Sequence, residues 1–303
     1  MGFPQMEPAP RTTQRTLSGR RGTLLLVDQG VGEGFSGGPV LRDGKVVGVV
    51  TEADEQTTYA VNAMVAREAL DGWGVITCSP GEERIVNGIV FVRICPGTFT
   101  MGSAENAPFA DANEKPAHRV TLSEFWIGKT EITNEQYRRF RPAHRGEAKL
   151  PATGVSWADA QVACEHFGGR LPTEAEWEYA TRAGSRTAWS FGDDEKRLGE
   201  YAWYKGNSGS KPHPAGTKKP NAWGLHDMHG NVYEWVADWY GPYPSAAQTD
   251  PTGPASGEYR ILRGGSYSYL DSVSALRSAF RISYWPGYRF WFIGFRCVWV
   301  ADG

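Results

Sequence analysis

Gly224-Leu225-His226-Asp227-Met228-His229-Gly230-Asn231-Val232-Tyr233-Glu234-Trp235 is the fifth of seven motifs that follow one another along the chain. Upstream of it stand Phe91-Val92-Arg93-Ile94 leading to Phe99-Thr100-Met101-Gly102-Ser103, then Glu131-Ile132-Thr133-Asn134-Glu135-Gln136-Tyr137, Val155-Ser156-Trp157, and Arg170-Leu171-Pro172-Thr173-Glu174-Ala175-Glu176-Trp177-Glu178. Downstream come Arg263-Gly264-Gly265-Ser266 and Ile293-Gly294-Phe295-Arg296. Two of these motifs contain capping boxes. Thr133 with Gln136 starts a helix to about Phe140, and Thr173 with Glu176 starts one to about Arg182. Between them Ser156 opens another helix, whose Ala160, Ala163 and Cys164 recur at helical spacing. Val90 to Ile94 alternates as a strand does, and beyond residue 184 the pattern is mainly loops and short strands.

A chain of 303 residues can hold one large domain and a smaller one, each with its own core. The polar turn formers Cys78-Ser79-Pro80-Gly81-Glu82-Glu83 place the boundary between Val75 and Asn87. Residues 1–21 read as a flexible arm, 22–77 as a small, mostly β subdomain, and 88–303 as the main domain. Lys+Arg (32) nearly balances Asp+Glu (34), which argues against nucleic acid and anionic membrane as partners. No run approaches the roughly 20 apolar residues that span a bilayer, and Met1 to Gly22 lacks the apolar core of a signal peptide. Cys78, Cys95, Cys164 and Cys297 form no local metal-binding pair. Reduced, buried thiols in a cytoplasmic protein are the expectation, with a long-range disulfide as the alternative.

Taken in order, the seven motifs resemble the formylglycine-generating enzyme, or sulfatase-modifying factor, family over residues 88 to 300. The resemblance implies an α+β, C-type lectin-like fold with helices, a small twisted antiparallel sheet and long structured loops. Family members carry two cysteines after the Gly-Gly-Ser motif, where copper and oxygen chemistry need thiolates. Tyr269 and Ser274 stand at those positions, and a phenol and a hydroxyl cannot replace soft ligands. Cys297 reads as a lone core thiol. No catalytic residue and no required cofactor are therefore expected. The resemblance also implies a structural calcium site at Asp227, Gly230, Val232 and Glu234, built of carboxylate and carbonyl oxygens. The competing role for Asp227 and Glu234 is to tie down the loop by hydrogen bonds. A second calcium site of the family finds no match around Ala202 to Asn207.

Before residue 78, apolar runs at Thr23 to Val27 and Val46 to Val50 read as strands, and Asp43-Gly44 as a hairpin turn. Asn62 to Asp71 reads as a short helix. Gly34-Phe35-Ser36-Gly37-Gly38-Pro39-Val40 resembles the nucleophile loop of trypsin-like serine proteases, whose glycines let backbone amides form an oxyanion hole. A triad needs a histidine beside the serine, yet the first histidine of the chain is His118 in the other domain. Ser36 thus reads as a remnant, with a protease fragment as the second alternative.

Residues 267 to 292 contain nine aromatic residues among twenty-six, against 13% for the whole chain. Aromatic and serine side chains suit an adaptable recognition surface, because they offer large contact area with few rotatable bonds. The window resembles the variable region of proteins diversified by retroelements. There, replacement of template adenines in Asn codons never yields Lys, Gln, Glu or Met, and none of these occurs in the window. Asp271-Ser272, Ala275 to Ala279, Arg281, Pro286 and Arg289 read as framework. The varied set begins with Ser268, Tyr269, Leu270, Val273 and Ser274, with Tyr267 at its border. It continues through Phe280, Ile282, Ser283, Tyr284, Trp285, Gly287, Tyr288, Phe290, Trp291 and Phe292. Trp285 and Trp291 depart from the codon rule, which leaves open whether they vary. Tyr284, Trp285, Tyr288, Phe290, Trp291 and Phe292 are expected at the centre of an exposed face, flanked by Ser268, Ser274 and Ser283. The expected function is ligand binding, with a protein as partner. The alternative is a sulfatase-modifying oxidase.

Overall fold

Ile89 to Ile94 sends its apolar side chains inward, and the sheet built on this strand positions the rest of the larger unit. The computed structural model describes four strands within residues 11–49, and residues 78–268 and 272–299. It divides into two units, Met1–Cys78 and Ser79–Gly303.

In the first unit, β1 (Arg11–Thr16), β2 (Thr23–Asp28), β3 (Pro39–Arg42) and β4 (Lys45–Val49) form one antiparallel sheet in chain order. Arg42 pairs with Lys45, so β3 and β4 form the expected hairpin. The flexible arm expected at 1–21 needs correction. Arg11 to Thr16 pairs with β2 from Arg11↔Asp28 to Thr16↔Thr23, because the edge of an apolar strand offers main-chain partners to any extended neighbour. Ser36 with most of its glycine-rich loop, and the helix expected at 62–71, lie outside the described residues.

The second unit holds three sheets. The first contains β5 (Glu83–Val86), β6 (Ile89–Ile94), β9 (Phe125–Gly128), β10 (Gly169–Arg170) and β16 (Val298–Trp299), in the order β10-β16-β9-β6-β5. The second is β14 (Arg281–Tyr284), β13 (Arg260–Arg263), β11 (Tyr233–Trp239) and β15 (Ile293–Gly294), with β15 parallel to β11. The third joins β12 (Gln248–Thr249), β8 (His118–Leu122) and β7 (Gly97–Met101). Helices α1 (Asn134–Phe140), α2 (Trp157–His166) and α3 (Glu174–Arg182) begin at Thr133, Ser156 and Thr173. Each of these hydroxyls accepts a backbone N–H of the first turn, as the capping pattern predicts. Two aromatic-rich cores result, one around Phe91, Tyr137, Trp235 and Phe295, the other around Ile127, Trp177, Met228 and Val236.

Every residue of α3 is buried, so its charges must be neutralised inside the protein. Glu178 is met by Arg263 and Arg182, and Glu174 by both Nε and Nη2 of Arg281 at 2.7 and 2.8 Å. In the same interior Arg296 donates to Glu234 through Nε and Nη2, each at 2.7 Å, and Trp177 Nε1 donates to Glu234 Oε2 at 2.8 Å. Arg277 grips Glu114 at 2.8 and 2.5 Å. These planar, two-pronged contacts tie distant segments together.

The thiol expectation is overturned. Cys164 of α2 and Cys297, just before β16, form a buried disulfide with Cα atoms 5.4 Å apart, and Cys78 and Cys95 are disulfide-bonded too. No free cysteine remains. Residues 133 positions apart in sequence meet because α2 packs on the closing strands, which spacing alone does not reveal.

Replacing Glu234 by Gln leaves the buried Arg296 guanidinium without its hydrogen-bonded carboxylate, at a cost of about 3–5 kcal/mol. Glu83→Gln, which breaks the solvent-exposed pair with Lys129, should cost less than about 1 kcal/mol. Urea denaturation of both variants measures the contrast, and equal losses would mean that the Arg296 pair carries no special weight.

Candidate functional site

The window is held by its framework. Arg277 and Arg281 are buried and paired as described, and Ala275, Leu276, Ser278 and Ala279 around them are buried too. His229 of the fifth motif supports the same segment: its Nδ1 lies 2.8 Å from the carbonyl of Leu276, and its Nε2 accepts from Ser190 Oγ at 2.9 Å. Burial lowers the His229 pKa to about 4, so the ring is neutral and needs no counter-ion. From Arg281 the chain runs antiparallel to β13, with Tyr284 opposite Arg260, then turns at Trp285-Pro286-Gly287-Tyr288. The Tyr288 N–H closes the turn on the Trp285 carbonyl at 3.0 Å. Backbone amides of Trp157 and Gly154 donate to the carbonyls of Pro286 and Phe290, each at 2.9 Å, and fix the turn beside the start of α2.

On this frame lies a continuous row of rings. Tyr284 touches Tyr288 and Phe290, Phe290 stacks on Phe292 at 5.2 Å, and Trp291 packs edge-on to Phe292 and against Tyr267. Trp285, Tyr288 and Trp291 are 49%, 42% and 48% exposed. Val273, Ser274, Phe280, Ile282, Ser283, Tyr284 and Phe290 are half-buried, and Gly287 is exposed. Trp285 and Trp291, whose status the codon pattern leaves open, thus present their rings to solvent.

Three of the residues expected on the exposed face are instead interior: Tyr267, Ser268 and Phe292 are only 3%, 1% and 8% exposed. Tyr267 lies beneath Trp291, its N–H bonded to Asn231 O at 2.8 Å and its hydroxyl to Trp291 O at 3.1 Å. Phe292 lies between Phe290 and Tyr233, and the Ser268 N–H is bonded to Ser266 Oγ at 3.1 Å. Trp291 and Phe292 lie in a turn just before β15, where the Ile293 N–H bonds the Phe290 carbonyl at 3.2 Å, and this turn puts Trp291 outside and Phe292 inside, a choice that the unbroken run of large residues hides. Tyr269 and Leu270 lie outside the described residues. Tyr259, outside the window, extends the row by packing against Trp285 at 5.6 Å. Only the pairing of β13 with β14 brings it there, so no pattern within the window could have singled it out. At the rim, Arg289 and Arg141 both pair with Asp159.

The side chains of the implied calcium site are engaged in part within the protein. Both oxygens of Glu234 are taken by Arg296 and Trp177, which is the loop-tying role. Asp227 Oδ2 accepts the Gly216 N–H at 2.6 Å, and the Gly230 N–H is bonded to Gly264 O. Among the described residues no group of three or more His, Cys, Asp or Glu side chains is arranged to hold a metal. Asp227 Oδ1 and the adjacent Glu131 Oε2 are buried without partners. Burial and the neighbouring Asp227 hold the Glu131 carboxyl well above the usual carboxylate range. At the positions where the family's thiolates are implied, Ser274 Oγ is bonded to Ser272 Oγ at 2.6 Å.

The glycines separate frame from face. A Cβ on Gly287 would meet nothing within 4 Å, whereas on Gly265, at φ +72°, it would lie 2.7 Å from Leu276 and 2.9 Å from the Ala275 carbonyl. Gly287→Tyr should therefore change stability by less than about 0.5 kcal/mol. Gly265→Ala should cost about 1–3 kcal/mol through overpacking and a strained φ. Thermal unfolding distinguishes the two, and a large loss at Gly287 would show the turn to be packed.

Residues 80–301 match the Sulfatase-modifying factor enzyme 1-like domain. The formylglycine-generating enzyme of Streptomyces coelicolor is 32% identical over 286 residues, covering 70% of this chain and 89% of that protein. The serine/threonine-protein kinase pkn1 of Chlamydia pneumoniae is 35% identical over 72% of this chain, but the match spans only 39% of the kinase. Among solved structures, Treponema denticola variable protein 1 superposes with a TM-score of 0.62 at 28% identity, covering 72% of this chain and 98% of that one. The α+β architecture is thus the C-type lectin-like fold of this family, and the chain belongs to the sulfatase-modifying factor enzyme 1-like domain family.

Proposed function

We propose that the domain is a catalytically inactive ligand-binding protein, whose varied residues are supplied by a diversity-generating retroelement. The observation that carries this reading is the division of the window into a buried frame and an exposed row of rings. Arg277 and Arg281 hold the main chain from inside, so the exposed side chains at Trp285, Gly287, Tyr288 and Trp291 can change without altering its path. The likeness to a variable protein of Treponema denticola supports the same reading. The row is an open surface and not a pocket, which suits a macromolecular partner, most simply another protein. Two indoles and a phenol of the size that usually anchors interfaces lie on it, beside a rim with one guanidinium in excess over Asp159. No metal or cofactor enters this reading. Hydrolysis through Ser36 gains no support, since a histidine partner is absent from the first 117 residues.

The test is a display library randomised at the exposed positions Trp285, Gly287, Tyr288 and Trp291. Most members should melt like the parent, since exposed substitutions typically cost no more than about 0.5 kcal/mol each. Selection on unrelated proteins should yield binders, and general unfolding of the library would sink the proposal. For the oxidase alternative, all four cysteines are in disulfides, so no thiolate is free for copper. Incubation with copper, oxygen and a cysteine-containing sulfatase peptide should give no formylglycine, and turnover would restore the enzyme reading.

A further inference from the structure

Away from the row of rings, a cavity of about 480 Å³ opens between the start of α3 and the proline-rich loop that follows β11. Its walls include Tyr243, Trp239, Pro242 and Pro251, and four buried polar side chains reach it: His118, Glu174, Asp238 and Arg281. Two of the four are spent on each other. Glu174 takes both prongs of Arg281 and the Tyr243 hydroxyl at 3.0 Å. Arg281 Nη1 is used by the carbonyls of Asn113 and Gly241. This ion pair is closed and offers no net charge to a ligand.

The other two each keep one polar atom uncommitted. Asp238 Oδ2 accepts the Glu174 N–H at 2.8 Å, and Oδ1 makes no hydrogen bond among the described residues. A Cβ on Gly253 would stand 2.9 Å from that oxygen, so the space before it is open only because residue 253 is glycine. His118 Nδ1 lies 3.1 Å from the carbonyl of Pro116, which makes it the donor; in the neutral ring Nε2 is then an acceptor. Burial and the neighbouring Glu174 push the Asp238 carboxyl up to about 8, so at neutral pH it carries a proton and donates.

An anion would meet Glu174 and no uncommitted cation, and a cation would meet an acid that holds its proton. Hydroxyl groups of a ligand in the cavity can accept from Asp238 and donate to His118, and the aromatic and proline walls suit the C–H face of a ring. The volume lies within the range of small-molecule sites. We propose that this cavity is a binding site for a neutral, hydroxyl-bearing ring of monosaccharide or cyclitol size, independent of the variable face.

Saturation-transfer NMR on the full chain, with glucose, galactose, N-acetylglucosamine and myo-inositol at millimolar concentration, tests this. At least one of them should receive saturation at neutral pH and lose it as pH rises through about 8, where Asp238 ionises. Asp238→Asn, a permanent neutral donor, should keep binding and abolish the pH dependence. Asp238→Ala and Gly253→Ala should weaken it about tenfold or more, the loss of a hydrogen bond in a buried site. Near-UV circular dichroism verifies that each variant is folded, and His118→Ala replaces any that is not, with the same loss expected. No transfer to any probe, pH-independent binding by the parent chain, or parent-like binding by folded Gly253→Ala or His118→Ala would overturn the proposal.

Discussion

Guanidinium groups buried against carboxylates are the constraint on which this domain depends. Arg263, Arg277, Arg281 and Arg296 all lie in the interior, and each meets a glutamate from a different part of the chain. An unpaired charge in such a place costs several kcal/mol, so each pair forces two segments to meet in one geometry. Glu114 comes from the loop before β8, Glu174 and Glu178 from α3, and Glu234 from β11. Much of this loop-rich unit is thus positioned by paired charges as well as by apolar packing.

The same pairs explain how one surface could tolerate change. Arg277 and Arg281 carry the window's main chain on their own side chains, and His229 and the amides of Gly154 and Trp157 hold it at further points. Little of the backbone's path between Arg281 and Trp291 relies on the outward side chains. Their size can vary because the energy that fixes the path is spent beneath them. Tyr267 and Phe292 belong to that lower layer: one supports Trp291 and the other supports Phe290.

Kinship with formylglycine-generating enzymes establishes the fold and leaves the chemistry to the residues at the site. The four cysteines of this chain close disulfides, one of them crossing the core from α2 to the closing strands, and Glu234 serves Arg296. Glu234, placed in a calcium site by the family resemblance, bonds Arg296 and Trp177. The cavity under the proline-rich loop shares Arg281 with the window's frame, so one buried ion pair borders both the cavity and the strand that leads into the row of rings.

The linear order of motifs and their capping residues determined the family, the helix starts at Thr133, Ser156 and Thr173, and the framework role of Arg277 and Arg281, because each rests on local spacing or on residue type. Inside the window composition marked a recognition surface but could not sort it. In a run as uniformly large as Tyr288 to Phe292, either parity could face the core. Packing on Tyr233 sends Phe292 inward, and Trp291 is left outside. Tyr259 beside Trp285, Arg296 on Glu234 and Cys164 on Cys297 are meetings across 26, 62 and 133 positions of chain. Only tertiary structure decides such contacts, since they depend on how sheets and helices stack and not on any local pattern.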